Sequence, residues 1–346
     1  MEDKNKILVL GGGHQGLAMA AHLVLRGEKI NLWNRTASNI IDIIETKDIY
    51  CNGIINGVAH IDAVSADIDE VLTETIMVTT PAYAHKELAA LLASRVTDNT
   101  VIILNPGRTF GAWEFAHALN ENGCKSNPKI AETQTILYTC RRSDKNHVTI
   151  YALKNTVMIA ALNANDLEEI RQRIPSSIRD YFTAAKSIIQ TSLGNVGMIL
   201  HCAPMLMNVG WIENEEAEFK YYYDGISEAV AGFLEKIDAE RLKVAEAMGA
   251  GVESVSDWMR NAYDVKGANL YECIRNNTCY KDIGAPQVIR HRYLEEDVPY
   301  GLVPLESVGS YLGIPTPNTK LIIDLANAVL ERDYRASGRH FRAYKN

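Results

Sequence analysis

Six residues near the start of the chain, Gly11-Gly12-Gly13-His14-Gln15-Gly16, constrain its fold more than any other stretch. They stand between an apolar run, Ile7-Leu8-Val9-Leu10, and a segment of helical spacing from Leu17 to Leu25, which is the order strand, turn, helix. The spacing is G-x-G-x-x-G: Gly11 can make the tight turn, Gly13 lets backbone approach a pyrophosphate, and Gly16 lets the helix lie close on the strand. His14 and Gln15 open the helix, where N–H groups and the helix dipole favour an anion. Such a pattern also arises by chance in glycine-rich loops. Here it is followed by a second apolar strand, Ile30-Asn31-Leu32-Trp33, and that context reads as a dinucleotide site in a doubly wound, mostly parallel α/β sheet.

The end of the second strand bears on which dinucleotide. An NAD site usually carries Asp or Glu there, roughly 20 residues past the first glycine, to hold the ribose hydroxyls. This chain has Trp33-Asn34-Arg35-Thr36 instead. With no carboxylate to repel it, a 2′-phosphate can be held by Arg35, with Asn34 and Thr36 as neutral hydrogen-bond partners. NADP(H) is therefore expected, with NAD(H) as the alternative, since Arg35 can also stack on adenine or point to water.

A length of 346 residues suits two domains, because single cores stop growing near roughly 250–300 residues. The net charge of −8 is spread along the chain and argues against nucleic acid or an anionic membrane as partner. Six cysteines, with no C-x-x-C pair, suggest neither a metal site nor a disulfide framework. The polar N-terminus and the lack of a run of about 18 apolar residues lead to the expectation of a cytoplasmic protein.

Along the first half, strands and helices alternate. Ala37 to Thr46 reads as a helix with Thr36 or Ser38 as cap, and Ile49 to Ile68 reads as short antiparallel strands. Buried strands at Thr75–Thr79 and Val101–Leu104 end at Pro81 and at Asn105-Pro106-Gly107, where such a sheet presents its ligand loops. His147 to Tyr151 and Thr156 to Ala160 are expected to extend that sheet. Beyond about residue 175 the pattern turns helical, over Ala184–Leu206, Ser227–Met248, Ser254–Tyr263, Leu305–Leu312 and Thr319–Arg332. The division expected is a dinucleotide-binding domain over 1–180 and an all-α substrate domain over 181–346.

Within the helical half, His201 lies late in a helix whose neighbours are small or apolar. A histidine in that setting is either a satisfied core residue or a proton donor and acceptor for chemistry beside a hydride-transfer carbon. Downstream, Arg292-Tyr293-Leu294-Glu295-Glu296-Asp297 offers an arginine for a substrate carboxylate and acids to orient an imidazole, or else a solvated charged loop. Tyr221-Tyr222-Tyr223 and Trp258 read as core or as a side-chain pocket, and Glu213, Glu215, Glu216 and Glu218 as a solvated loop or as a lure for a basic amino acid.

Several segments together resemble the opine dehydrogenase family, the octopine and nopaline dehydrogenase group, over nearly the whole length. They are Gly11 to Gly16; Leu104-Asn105-Pro106-Gly107; Glu132-Thr133 with Tyr138-Thr139-Cys140-Arg141; Asn195 to Pro204; Tyr222 to Ile226; Lys236 to Arg241; and Glu296-Asp297-Val298 with Gly301-Leu302-Val303-Pro304. The resemblance implies a Rossmann domain followed by a helical domain, and reductive condensation of an amino acid with a 2-oxo acid such as pyruvate by a reduced nicotinamide cofactor. It also implies that His201 is the catalytic histidine, Asp297 its carboxylate partner and Arg292 an arginine near the substrate. Thr139, Cys140 and Arg141 are expected at the substrate, Arg141 equally as a structural ion-pair residue, and Pro81 with Asn105, Pro106 and Gly107 beside the nicotinamide. Small-molecule substrates are the expected partners, with a homodimer allowed for.

Two competing readings stand. A 2- or 3-hydroxy acid dehydrogenase would reduce a carbonyl with no amine; members resembling the 3-hydroxy acid group carry a lysine a few residues before an asparagine, whereas Lys186 here lies nine before Asn195. A protein that binds NADPH without turnover is the other, against which stand the histidine, arginine and aspartate together.

Overall fold

The strands that the sequence marks as apolar throughout are the ones buried on both faces. A computed structural model of the chain describes residues 6–341, in two compact units: the first runs to Gly107 and from Gly111 to Ile188, and the second takes Arg108–Phe110 and continues from Ile189. The first unit holds, in chain order, β1 (Ile7–Leu10), α1 (His14–Leu25), β2 (Ile30–Trp33), α2 (Ile41–Thr46), β3 (Asp48–Gly53), β4 (Gly57–His60), β5 (Ala63–Ser65), β6 (Thr75–Val78), α3 (His85–Leu92), β7 (Val101–Leu104), α4 (Gly111–Glu121), β8 (Lys129–Thr133), β9 (Tyr138–Asp144), β10 (His147–Leu153), β11 (Val157–Ala161), α5 (Leu167–Arg173), α6 (Ser176–Arg179) and β12 (Phe182–Ala184).

Eight of these strands form one sheet in the order β12-β11-β8-β7-β6-β1-β2-β5. It is parallel except where β11 runs against β8. Successive side chains of a strand point to opposite faces. Ile7 and Val9 thus share a core with Leu17, Ala20 and Ala21 of α1, while Leu8 and Leu10 share another with Leu88 and Leu92 of α3 and Phe115 of α4. With helices on both sides, little strand face is left for polar residues, hence the unbroken runs of Ile, Leu and Val in β1 and β7.

One expectation fails here. His147–Tyr151 does not extend the main sheet: β10 belongs to a separate four-stranded sheet, β4-β3-β10-β9, that contributes Cys51, Val148 and Ile150 to the core on the α1 side. Its alternation carries the reason, for Val148 and Ile150 are fully buried whereas Tyr151 is 55% exposed. That is the signature of a sheet wetted on one face, unlike the continuous runs of the central strands. Val157–Ala161 does join the main sheet, and the stretch after Ile49 yields the antiparallel pair β3/β4 followed by β5 alongside β2. The helix expected from Ala37 is a 3₁₀ turn, Ala37–Asn39, then α2, and Thr36 makes no side-chain cap.

The second unit begins as α7 (Ile188–Leu193) leaves the first, and contains α8 (Gly197–Met207), α9 (Val209–Ile212), α10 (Glu228–Ala247), α11 (Val255–Tyr263), α12 (Leu270–Asn276), α13 (Arg292–Glu295), a π-helical turn at Val298–Leu302, α14 (Val303–Leu312), α15 (Pro317–Leu330) and α16 (Tyr334–Ser337). The single helix expected over Ala184–Leu206 is therefore strand β12 and two helices. Gly194, Asn195 and Gly197 interrupt the helical run, and His201 falls in the second turn of α8 rather than late in a long helix. Charged side chains inside this unit are matched. Arg241, with no exposed surface, pairs with Asp238 at 2.7 Å. Glu240 accepts from the backbone N–H groups of Asn318 and Thr319 at 2.8 and 2.9 Å, placing a carboxylate on the N-terminus of α15 where the helix dipole favours it.

In the first unit one buried histidine sets a pH limit. His22 of α1 is 1% exposed, its Nδ1 lies 3.1 Å from the Tyr138 hydroxyl, and burial, with help from the Arg26 charge, lowers its pKa to about 4. The unfolded chain takes up a proton near pH 6.5 that the folded chain refuses, so stability is lost as pH falls from about 6.5 towards 4, by roughly 3 kcal/mol if His22 stays neutral. Chemical denaturation at a series of pH values should show this acid loss in the native chain and a shallower one in His22→Gln. Equal slopes in both would show that His22 is not the group responsible.

Candidate active site

The glycine turn lies where the strand order of the main sheet reverses, since β1 sits between β2 and β6. The loops after β1 and β6 meet there: Thr79 Oγ1 is 3.2 Å from both the Leu10 and Gly11 carbonyl oxygens. Gly11 has φ +124°, a conformation that only glycine adopts without strain. A Cβ on Gly16 would stand 1.7 Å from the Gly11 oxygen, so α1 can lie against the turn only if that residue has no side chain. A Cβ on Gly13 would meet nothing within 4 Å, and no side chain caps the helix there. Two buried polar atoms beside this opening, Gln15 Nε2 and Thr80 Oγ1, have no hydrogen-bond partner in the protein. A glycine cradle, an uncapped helix start and orphaned polar atoms fit a bound dinucleotide.

The end of β2 is arranged differently from the sequence reading in one respect. Asn34 Oδ1 accepts the Gly12 N–H at 3.0 Å and its amide donates to the Thr36 carbonyl at 2.9 Å, so the side chain braces the glycine turn itself. Arg35 is exposed and pairs with Glu87, both side chains being 67% exposed. Pro81 opens the 3₁₀ turn Ala82–Ala84. Asn105 is 2% exposed, donates to the Ile103 carbonyl at 2.8 Å and precedes a cis bond to Pro106, while Gly107 packs so closely that a Cβ would lie 2.4 Å from a Glu132 carboxylate oxygen.

Thr139, Cys140 and Arg141 lie on β9. Cys140 Sγ is 3.4 Å from the His14 carbonyl, which puts this strand against the start of α1. Arg141 is exposed, and its neighbour Arg142 makes the contacts. Arg142 donates its backbone N–H to His14 Nδ1 at 2.6 Å and its guanidinium to the carbonyls of Gly12 at 2.8 Å and Asn39 at 2.5 Å. The sequence reading passed over Arg142, and only the strand's phase on the glycine turn separates the two arginines.

His201, Asp297 and Arg292 all belong to the second unit. His201 Nδ1 lies 2.7 Å from Asp297 Oδ2. A carboxylate can only accept, so Nδ1 carries the proton and Nε2 is the free nitrogen of the neutral ring. Nε2 faces the Tyr222 hydroxyl at 3.2 Å. Tyr293 stacks on the imidazole with centroids 3.9 Å apart, and the Arg292 guanidinium stands over the Tyr293 ring at 5.7 Å. Tyr221 donates to the His201 carbonyl at 2.7 Å. The tyrosines read from sequence as core or pocket are therefore the walls of the histidine. Glu213, Glu215, Glu216 and Glu218 are exposed and Trp258 is buried.

Burial lowers the His201 pKa. The Asp297 charge and hydrogen bond work the other way, and the Arg108 and Arg292 charges add to the lowering. The net direction is down, so the carboxylate's support does not make this imidazole more basic than usual. Asp297 and Glu296 are 1% and 2% exposed. Burial alone would push both carboxyls up; Arg108, and for Asp297 also His201, hold them below the ordinary range and ionised.

Arg108 is the functional candidate that sequence reasoning missed. Segment Arg108–Phe110 is stitched into the helical unit: the Thr109 N–H donates to the Tyr300 carbonyl at 3.1 Å, the Phe110 N–H to Ser192 Oγ at 2.9 Å, and Asn195 to Thr109 Oγ1 at 3.3 Å. Arg108 has φ +59° and Phe110 φ +64°, each a left-handed conformation costing a non-glycine residue about 1–2 kcal/mol. From there Arg108 donates to both oxygens of Glu296 at 3.1 Å, and its Nη1 stands 3.2 Å from Asp297 Oδ1.

Comparison with known proteins identifies the family. Residues 184–330 match the family model described as NAD/NADP octopine/nopaline dehydrogenase, alpha-helical domain, and residues 7–106 match that described as ketopantoate reductase PanE/ApbA. The chain is 35% identical over 342 residues to the opine dehydrogenase of Arthrobacter sp. (strain 1C), covering 98% of this chain and 94% of that one. Its fold is similar to that of octopine dehydrogenase solved with NADH and agmatine, with TM-score 0.78, 18% identity and coverage of 98% and 95%. It is likewise similar to yersinopine dehydrogenase with NADP⁺ bound, with TM-score 0.77, 13% identity and coverage of 96% and 92%. An N-terminal Rossmann unit with a glycine cradle, followed by a helical unit that holds a part-buried histidine on a buried aspartate, and 35% identity to an opine dehydrogenase make this chain an NAD(P)-dependent oxidoreductase of the opine dehydrogenase family.

Proposed function

We propose that the chain catalyses the reductive condensation of an amino acid with a 2-oxo acid, and its reverse, with NADPH preferred. The observation that carries this reading is the His201 ring, fixed by Asp297 at Nδ1 with Nε2 turned to a hydroxyl, in a chain that is 35% identical to an opine dehydrogenase. The reduced nicotinamide supplies a hydride. The chain's own residues must supply and remove protons and hold the carboxylates.

His201 meets the first need. A pKa lowered by burial makes the imidazolium a ready donor, and Asp297 keeps the ring in one orientation through the transfer. Proton exchange at Nε2 serves loss of the ketone oxygen as water on the way to the imine and, in the reverse direction, abstraction from the secondary amine. Tyr222 occupies the position on Nε2 that a substrate atom takes, so it either yields to substrate or relays its proton. Arg292, exposed on the aromatic platform beside the imidazole, suits a substrate carboxylate gripped by two parallel hydrogen bonds. Thr139, Cys140 and Arg141 remain candidates for substrate contact.

For the cofactor, Arg35 supplies a cation where NAD sites carry an acid. Its partner Glu87 is an exposed ion pair, worth no more than about 1 kcal/mol, which a 2′-phosphate can replace. Arg35→Ala should lower kcat/KM for NADPH far more than for NADH, and Glu87→Gln should raise the preference for NADPH. Equal losses with both cofactors in Arg35→Ala would show that it does not read the 2′-phosphate.

Condensation is separated from plain carbonyl reduction by substrate requirement. Cofactor oxidation should need both a 2-oxo acid and an amino acid, and mass spectrometry should find a secondary-amine dicarboxylate. Full activity with the oxo acid alone would make the chain a hydroxy acid dehydrogenase instead.

His201→Ala and Asp297→Asn should each reduce kcat by roughly 10²–10⁴-fold with cofactor affinity nearly intact, and together by far less than the product. Tyr222→Phe removes a donor that favours the neutral ring, so the pH profile should move upward while kcat stays within about tenfold of the native value. Near-normal turnover in His201→Ala would return this histidine to a core role.

A further inference from the structure

Arg108 reaches two carboxylates at once from a segment only three residues long that departs from the dinucleotide unit, Arg108–Phe110. Its guanidinium is buried, the residue being 8% exposed. Both Glu296 oxygens accept from it, and Nη1 stands 3.2 Å from Asp297 Oδ1. The other Asp297 oxygen receives the His201 Nδ1 proton at 2.7 Å, so a single carboxylate joins guanidinium to imidazole. Oδ1 is buried and makes no hydrogen bond, which leaves the Arg108 charge as its stabilising neighbour. Gly197 keeps the space: a Cβ there would lie 2.7 Å from Arg108 Nη1 and 3.3 Å from Asp297 Oδ1.

We propose that Arg108 is a positioning residue for the reaction, which acts through the shared Asp297 carboxylate to fix the orientation of the His201 ring and the proton it exchanges at Nε2. The proposal rests on the acid–base reading of His201. With the imidazole neutral, Arg108, Glu296 and Asp297 sum to one negative charge; with the imidazolium they sum to zero, so the proton-loaded state is the balanced one. Without Arg108, two adjacent buried carboxylates would face each other, and one would take up a proton. Loss of charge on Asp297 would release the ring, and retention of charge there would bind the ring's proton too tightly for transfer.

The other groups facing the imidazole act differently. Burial keeps the Tyr222 hydroxyl and the neighbouring Cys202 thiol neutral by pushing both pKa values well up, and Tyr293 packs its ring face on the imidazole. Arg292 is exposed, so salt screens its charge, whereas a buried guanidinium is screened much less. Arg108 opposes the imidazolium directly, and its removal raises the affinity of His201 for protons.

The test compares the full-length native chain, Arg108→Lys and the charge-balanced double variant Arg108→Met/Glu296→Gln. Replacing both members of a buried ion pair is close to neutral for stability, so the double variant should fold with a Tm near the native value. Histidine-labelled protein should then show by NMR a His201 titration moved upward, with proton affinity raised about tenfold or more as the ionised Asp297 holds the ring's proton more tightly. The pH profile of kcat should move with it, kcat at neutral pH should fall at least about tenfold, cofactor KM should hold, and Arg108→Lys should recover part of the titration. A double variant with native titration and native kcat would show that Arg108 serves only to balance Glu296. Failure of the double variant to fold would equally overturn the proposal by making Arg108 a structural member of the helical unit. Turnover of His201→Ala is the separate control: normal turnover there removes the acid–base reading, while the NMR titration still decides whether Arg108 governs the ring.

Discussion

Asp297 is shared between an imidazole and a guanidinium, and the centre of the helical unit is organised around keeping that carboxylate ionised away from water. A buried carboxylate without partners would take up a proton, since the desolvation penalty of an isolated charge is several kcal/mol even after relaxation. Here Arg108 neutralises the Glu296–Asp297 pair to a single net charge, and the His201 ring takes the remaining acceptor. The left-handed backbone at Arg108 and the bare Gly197 both follow from that need. A π-helical turn, a rare form that is frequent at functional sites, begins immediately after Asp297.

Aromatic packing then limits what the histidine can do. Tyr293 covers one face of the ring, Tyr221 holds the backbone of the turn that carries it, and Tyr222 stacks on Tyr280 with centroids 4.2 Å apart. An imidazole held this way cannot rotate to exchange its nitrogens. Nδ1 is committed to Asp297 and Nε2 faces the Tyr222 hydroxyl, and the same burial that fixes the ring also lowers its affinity for a proton. Positioning and acidity come from one arrangement of side chains.

The dinucleotide unit solves a different problem by leaving atoms out. Gly16 allows α1 to touch the turn, Gly13 leaves space before an uncapped helix, and Asn34 braces the turn through the Gly12 N–H. Arg142 ties that turn to the small second sheet. The loop is thus supported from behind and open in front, as a site must be if backbone is to approach a phosphate.

The sequence by itself determined what depends on local order: the glycine turn between strand and helix, the continuous apolar strands of the main sheet, the change to helical periodicity in the second half, and, through resemblance across many segments, the pairing of His201 with Asp297. Those are carried by residue type at fixed spacing, which no distant contact alters. The phase of β9 that turns Arg142 rather than Arg141 onto the glycine turn, the departure of β10 into a second sheet, the meeting of Tyr222 with His201, and the insertion of Arg108 beside Glu296 and Asp297 were decided only in the tertiary structure. Tyr222 and His201 lie 21 residues apart, and Arg108 and Glu296 lie 188 apart. Their pairing depends on how helices and sheets pack to bury apolar surface while leaving no charge uncompensated, and neither condition is written in any one stretch of chain.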